Sequence, residues 1–120
     1  MGKIMVVEDD PIVRGLLVEK IKSAGYEEVV DFGNGLAAIR ELGKIKDNGG
    51  LYALVTDFNL KGQTVNGCDV AEIAREIFPE NKTKIIFFTG SSVERCASKV
   101  SAFCISKPYS DGVIECLGNL

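Results

Sequence analysis

"MVVEDDP", residues 5–11, sets three consecutive carboxylates, Glu8, Asp9 and Asp10, directly behind an apolar run. Like charges this close repel and raise one another's pKa. Such a cluster is either a solvated turn or a place where negative charge is concentrated for a cation. Its setting decides the fold. The run before it, Lys3 to Val7, is nearly continuous in apolar residues, and the residues after it start a helix. Pro11 suits a first helical turn and Asp10 its N-cap, and Ile12, Leu16, Leu17 and Ile21 form the expected apolar stripe.

The same alternation continues along the chain. Strand-length apolar runs occupy Glu28 to Phe32, Leu51 to Thr56, Ile85 to Thr89 and Phe103 to Ser106. Helical spacing occupies Ile12 to Ala24, Leu36 to Ile45, Asp69 to Phe78, Val93 to Val100 and Asp111 to Leu117. Gly25, Asn48-Gly49-Gly50, and Pro79 with Asn81 punctuate the ends. "KIMVV", "LYALV" and "IIFF" do not alternate with polar residues, as expected of strands buried on both faces in a parallel sheet. Five βα units predict a doubly wound five-stranded parallel α/β sheet. The 120 residues predict a single domain, 1–120, with no linker or repeat to divide it.

Composition removes several function classes. The net charge of −3, with no Lys/Arg cluster, speaks against direct nucleic-acid binding. No run is long enough for a membrane span or built like a signal peptide, so a cytoplasmic protein is expected. The absence of histidine excludes Ser-His and Cys-His catalysis and imidazole metal ligation. Cys68, Cys96, Cys104 and Cys116 lack paired metal spacing and read as reduced core residues.

Ligands of a doubly wound sheet sit beyond the carboxyl ends of its strands. Strand one ends in Glu8, Asp9 and Asp10, strand three in Asp57, strand four in Thr89, Gly90 and Ser91, and strand five in Lys107 and Pro108. Taken singly, Asp57 and Thr89 are ordinary caps and Lys107 an ordinary solvated charge. Together, acids, a hydroxyl and a lysine meet on one edge from four separate segments.

"VVEDDP", "LVTDFNL", "IIFFTGSS" and "CISKPY", in this order and near these spacings, closely resemble the receiver domains of two-component response regulators, over essentially the whole chain. The resemblance implies a flavodoxin-like fold with strand order 2-1-3-4-5. It implies a phosphorelay module that takes a phosphoryl group from phosphohistidine on a histidine kinase or a histidine phosphotransfer protein, then acts on a downstream protein. Such a module is not an enzyme beyond weak self-phosphorylation from small donors and autodephosphorylation. Asp57 matches the phosphoacceptor, Thr89 and Lys107 the residues that contact the added group, and Glu8 and Asp9 the acidic pair, with Asp9 and Asp10 as the alternative register. Mg²⁺ is the implied cofactor, held by Asp9 and Asp57, by Glu8 largely through water, and by the Asn59 backbone carbonyl. A hard cation with oxygen ligands that bridges to phosphate suits this set. The Lys107–Pro108 bond is expected to be cis, and Gly90 to leave the approach open.

The sequence also departs from the family pattern. Cys104 stands where many receivers carry the aromatic that moves inward on phosphorylation, with Phe103 before it and Tyr109 beyond the lysine. The interval from Thr89 to Lys107 is about one helical turn short, which predicts a stunted fourth helix. The segment after Asp57, "FNLKGQTVNG", is about two residues long for the family. Its Gly62, Asn66 and Gly67 read as a mobile segment, so the loop from Lys61 to Gly67 is the expected reporter of phosphorylation. Two other function classes fit the residues less well. An aspartate-dependent phosphatase of the haloacid dehalogenase type wants an acid two residues after its nucleophile, where this chain has Asn59. A receiver-shaped binding module that is never phosphorylated sits poorly with an intact Glu8, Asp9, Asp57, Thr89 and Lys107.

Overall fold

The sheet runs through the middle of the domain with helices on both faces. The structure is a computed structural model that describes residues 2–46 and 49–118, so the turn expected at Asn48 lies outside the described residues. Five strands, β1 (Lys3–Val7), β2 (Val29–Phe32), β3 (Leu51–Thr56), β4 (Lys84–Thr89) and β5 (Phe103–Ser106), alternate with five helices. These are α1 (Pro11–Ser23), α2 (Gly35–Ile45), α3 (Gly67–Ile77), α4 (Glu94–Val100) and α5 (Ser110–Gly118). The strand order is β2-β1-β3-β4-β5 and every pairing is parallel, as the apolar runs predict.

Alternate residues of each central strand enter two separate cores, which is why the runs are continuously apolar. Met5, Val7, Leu54, Ile85 and Phe87 pack under α2, α3 and α4, against Leu42, Ala74 and Ala97. Ile4, Val6, Val55, Ile86 and Phe88 pack under α1 and α5, against Leu17, Ile21, Val113 and Leu117. Burying each of these larger side chains contributes about 1.5–3 kcal/mol.

Helix α1 starts at Pro11 with Asp10 as its N-cap, the Asp10 side chain accepting from the Ile12 and Val13 amides. The expected stripe is corrected. Leu17 and Ile21 are buried, but Ile12 is 72% and Leu16 63% exposed. The inward row is Val13, Leu17 and Ile21 at a spacing of four, and Ile12 and Leu16 form the neighbouring row, rotated about 100° away. Helix α4 is short, at seven residues, has no side-chain cap, and stops at Ser101 in the left-handed conformation (φ 56°).

The segment from Lys61 to Gly67, whose glycines suggest a mobile loop, is tied to its surroundings at several points. Asn66 is the N-cap of α3 in a capping box with Asp69, and Gly67 is helical. Gln63 donates from Nε2 to the Gly33 carbonyl and accepts the Gly35 amide at Oε1, both at 2.8 Å. Leu60 is buried, and Leu60 and Val65 lie so close to Gly35 that a Cβ there would meet them at 2.9 and 3.0 Å. Only Gly62, at φ 72°, uses the conformational freedom of glycine.

The cysteine reading is corrected too. Cys68 of α3 and Cys96 of α4 are joined in a disulfide, while Cys104 is exposed on the edge strand β5 and Cys116 is half-buried. A separation of 28 residues disguised the pair, which only the packing of α3 beside α4 brings together. Among the described residues no helix is long and apolar enough to cross a membrane.

Candidate functional site

Three backbone hydrogen bonds carry the parallel ladder past the ends of the strands and aim the site. Glu8 N–H donates to Phe32 O (3.0 Å), Asp57 N–H to Val7 O (3.1 Å) and Lys107 N–H to Thr89 O (3.1 Å). The last residue before each loop is thus fixed by its neighbouring strand. The place is the carboxyl edge around β1 and β3, where the strand order reverses.

Glu8, Asp9 and Asp57 converge there, each offering a carboxylate oxygen within 4.8 Å of the others. Glu8 and Asp57 are buried and Asp9 is half-exposed. Asp10 points away, committed to the α1 cap, so the convergent acids are Glu8, Asp9 and Asp57. Arg14, one turn into α1, donates from Nη1 to the Glu8 carbonyl (2.8 Å) and pairs with Asp31 (3.2 Å), bracing the turn that holds the acids. The Lys61 amide donates to Asp9 (3.3 Å).

Lys107 reaches in from the end of β5. Its ammonium lies 2.6 Å from Glu8 Oε1 and 2.7 Å from Asp57 Oδ2, behind a cis Lys107–Pro108 bond. The second Asp57 oxygen accepts the Phe58 amide at 2.7 Å. Burial raises the Glu8 carboxyl above its ordinary range; Lys107 opposes that shift and the Asp57 charge adds to it. Burial alone would lower the Lys107 ammonium, but its hydrogen bonds to Asp57 and Glu8 outweigh that and raise it. The lysine is therefore held charged.

The remaining predicted residues lie beside this cluster. Thr89 is buried at the end of β4, its Oγ1 accepting the Ser91 amide (3.2 Å), and its hydroxyl hydrogen remains to be given. Asn59 sends its side chain to Ser91 Oγ (2.7 Å), joining the loops after β3 and β4. Gly90 is exposed, with open space where a Cβ would stand. Arg14 and Gln63 escaped the sequence reading, because each acts through a loop contact that follows no local spacing. Gly67 was misread: a Cβ there would fall 1.7 Å from the Asp57 carbonyl oxygen, so glycine is what lets α3 begin against the residue at the centre of the site.

The donor set fits a hard divalent cation. Three carboxylates converge, Lys107 pairs with two of them, Glu8 and Asp57, and all the ligands are oxygens. Chemically, the site offers a carboxylate with one oxygen fixed by an amide, an ammonium paired with the other and a hydroxyl donor nearby.

The family model described as the response regulator receiver domain matches residues 4–115. Among solved structures, the chain is similar to a response regulator receiver protein from Sinorhizobium medicae, at 25% identity and TM-score 0.79, covering 97% of this chain and 90% of that one. It is similar to a chemotaxis protein from Vibrio cholerae at 20% identity and TM-score 0.79, covering 98% and 96%. A third is a response regulator from Burkholderia pseudomallei, solved with a phosphorylated aspartic acid, a calcium ion and citrate. It shares 17% identity and a TM-score of 0.77, covering 99% of this chain and 68% of that one. No curated protein matches.

Proposed function

The chain belongs to the response regulator receiver domain family of two-component signalling, and we propose that residues 1–120 form one such domain, which accepts a phosphoryl group on Asp57 in a cytoplasmic phosphorelay. The observation that carries this is the bonding of Asp57: one oxygen on the Phe58 amide, the other on the Lys107 ammonium, with Glu8 and Asp9 alongside.

Each group then has a task. A carboxylate oxygen of Asp57 attacks phosphorus of a phosphohistidine; a P–O bond forms, the P–N bond breaks, and the leaving imidazole keeps the electron pair and gains a proton. The Phe58 amide orients the carboxylate. The Lys107 ammonium exchanges its bond to Asp57 for one to a phosphoryl oxygen, and the Thr89 hydroxyl donates to another. Glu8, Asp9, Asp57 and the Asn59 carbonyl would hold Mg²⁺, which when bound neutralises charge between the acceptor and the phosphoryl oxygens. The calcium ion and phosphorylated aspartic acid of the Burkholderia relative are consistent with this assignment. Hydrolysis of the acyl phosphate past the open Gly90 returns the domain to its starting state.

A histidine kinase or histidine phosphotransfer protein is the donor in this reading. Exposed Ile12 and Leu16, beside an apolar groove of about 340 Å³ that also takes in Phe88 and Pro108, give a protein donor an apolar landing surface next to Lys107. Acetyl phosphate with Mg²⁺ is expected to add one hydroxylamine-labile phosphoryl group to the intact protein, and Asp57→Asn to abolish it. Undiminished labelling of that variant would overturn the assignment.

A further inference from the structure

The Cys68–Cys96 bond spans the two loops that carry the site. Cys68 is the second residue of α3 and Cys96 the third of α4, with Cα atoms 6.1 Å apart. On the α3 side the link to the acceptor is immediate, because Gly67 donates its amide to the Phe58 carbonyl at 2.8 Å. On the α4 side the chain leads back through Val93 and Ser91 to Thr89, and Ser91 already holds the Asn59 side chain. The disulfide and the Asn59–Ser91 bond together tie the segment after Asp57 to the segment after Thr89.

Both cysteines are half-exposed and line an open groove of about 570 Å³ with Phe58, Glu72, Val93 and Lys99, so a small thiol can reach them. The reduced state has a partner too: Glu72 Oε1 lies 3.4 Å from Cys68 Sγ, in place to accept from a thiol. Near the disulfide Lys99 pairs with Glu72 at 3.1 Å, with Lys99 67% exposed, and solvated pairs of this kind hold little; at the far end of α4 Arg75 of α3 donates from Nε to the Val100 carbonyl at 2.7 Å. The disulfide is the covalent connection at the starts of the two helices, and it is the one that chemistry can undo. Disulfides in a cytoplasmic protein are usually transient and redox-sensing.

We propose that Cys68 and Cys96 form a thiol–disulfide exchange site, oxidised by hydroperoxides and reduced by dithiols, that latches α4 to the start of α3. The latch limits how far the Thr89 segment and α4 follow a phosphoryl group on Asp57. Its regulatory part rests on the phosphoacceptor reading; the exchange chemistry does not. In oxidation one thiolate attacks the hydroperoxide, releasing an alcohol or water and leaving a sulfenic acid; the second thiol displaces water from it to form the S–S bond. In reduction a dithiol thiolate attacks one sulfur, the other leaves as a thiolate and is protonated, and the dithiol ends as its own disulfide.

The test uses the intact protein, oxidised with hydrogen peroxide or reduced with dithiothreitol without denaturant, and reads free thiols and amide exchange with and without beryllofluoride. Reduction is expected to expose two further thiols in the folded protein and to speed exchange over residues 89–100 on the order of tenfold. Beryllofluoride should alter α4 more in the reduced form. Cys68→Ser should match the reduced form under either treatment, and Cys104→Ser should match the parent. Thiols that appear only after unfolding, or exchange over 94–100 that ignores the redox state, would overturn the exchange site. A beryllofluoride response identical in both states sinks the latch and leaves the acceptor standing. A redox difference with no beryllofluoride response in either state sinks the phosphoacceptor reading and leaves the exchange site standing.

Discussion

Replacing Gly67 by alanine tests how α3 is seated on the acceptor residue. The added Cβ would stand 1.7 Å from the Asp57 carbonyl oxygen, 2.7 Å from its carbon and 3.0 Å from Phe58 Cα. Carbon and oxygen in close but tolerable contact lie about 3.3 Å apart, so backbone has to retreat by about 1.6 Å. That movement forfeits the Gly67-to-Phe58 hydrogen bond of 2.8 Å, a loss of about 1 kcal/mol. Overpacking adds about 1–3 kcal/mol. The total is about 2–4 kcal/mol, and for 120 residues the unfolding entropy is about 0.25 kcal/mol/K, so Tm is expected to fall by about 8–16 °C. Gly62→Ala is the control, since Gly62 has φ 72° and open space around its missing Cβ. It carries only the left-handed backbone cost of about 1 kcal/mol, near 4 °C. Circular-dichroism melts compare the two, and acetyl phosphate labelling then asks whether the acceptor has moved. Gly67→Ala should lose most labelling even below its melting range, and Gly62→Ala should keep it. A Gly67→Ala protein that melts within about 4 °C of the parent, or a Gly62→Ala protein equally damaged, would refute the reasoning.

Lys107→Met leaves Glu8 and Asp57, with side chains 3% and 10% exposed, facing each other without a cation. Urea unfolding without divalent ions should show a loss of about 3 kcal/mol, and Mg²⁺ should shrink the deficit; an equal deficit with and without Mg²⁺ would remove the cation site. Asp9→Asn should weaken Mg²⁺ binding with little change in stability, whereas Asp10→Ala should cost about 1 kcal/mol of helix capping and leave Mg²⁺ binding nearly intact. Isothermal titration and thermal melts separate the pair, and the opposite order of effects would move the acidic pair by one residue. Gln63→Ala, which removes both bonds to the β2–α2 turn, should speed amide exchange over residues 60–66 by about tenfold; unchanged exchange would mean that Leu60 and Val65 hold the loop alone.

The fold was legible because the strands are buried on both faces. "KIMVV", "LYALV" and "IIFF" have no polar alternation to confuse the reading, and the two cores they feed are those of a doubly wound sheet. Residues at strand ends were legible for a related reason. The ladder bonds at Glu8, Asp57 and Lys107 continue the strands by one residue, so a position counted along the sequence becomes a position on the sheet edge. The stripe of α1 was misread because Ile12 and Leu16 are as apolar as Leu17 and Ile21. Hydrophobicity marks four residues on two adjacent rows, and only the packing against β1 and β4 chooses the row.

What stayed hidden was contact between loops. Gly67 illustrates the ambiguity, since glycine is equally the residue of a flexible hinge and of a backbone approach too close for a Cβ. The sequence offers both readings; the 1.7 Å clearance to Asp57 admits one. Cys68 and Cys96 pose the same problem at longer range, because their 28-residue separation says nothing until α3 and α4 lie side by side. Once those contacts are counted, the segment after Asp57 is fastened at Gln63, at the Asn66 capping box, at Gly67 and through the disulfide. The other side of the rim has fewer local caps. Gly90 is open, α4 begins without a side-chain cap, and β5 is an edge strand with Phe103 and Cys104 exposed. How a segment is held is set by bonds made rather than by glycines counted, and here the Thr89 segment and α4 are held by the Asn59–Ser91 bond, by Arg75 at Val100 and by the disulfide, of which the disulfide alone is open to redox chemistry.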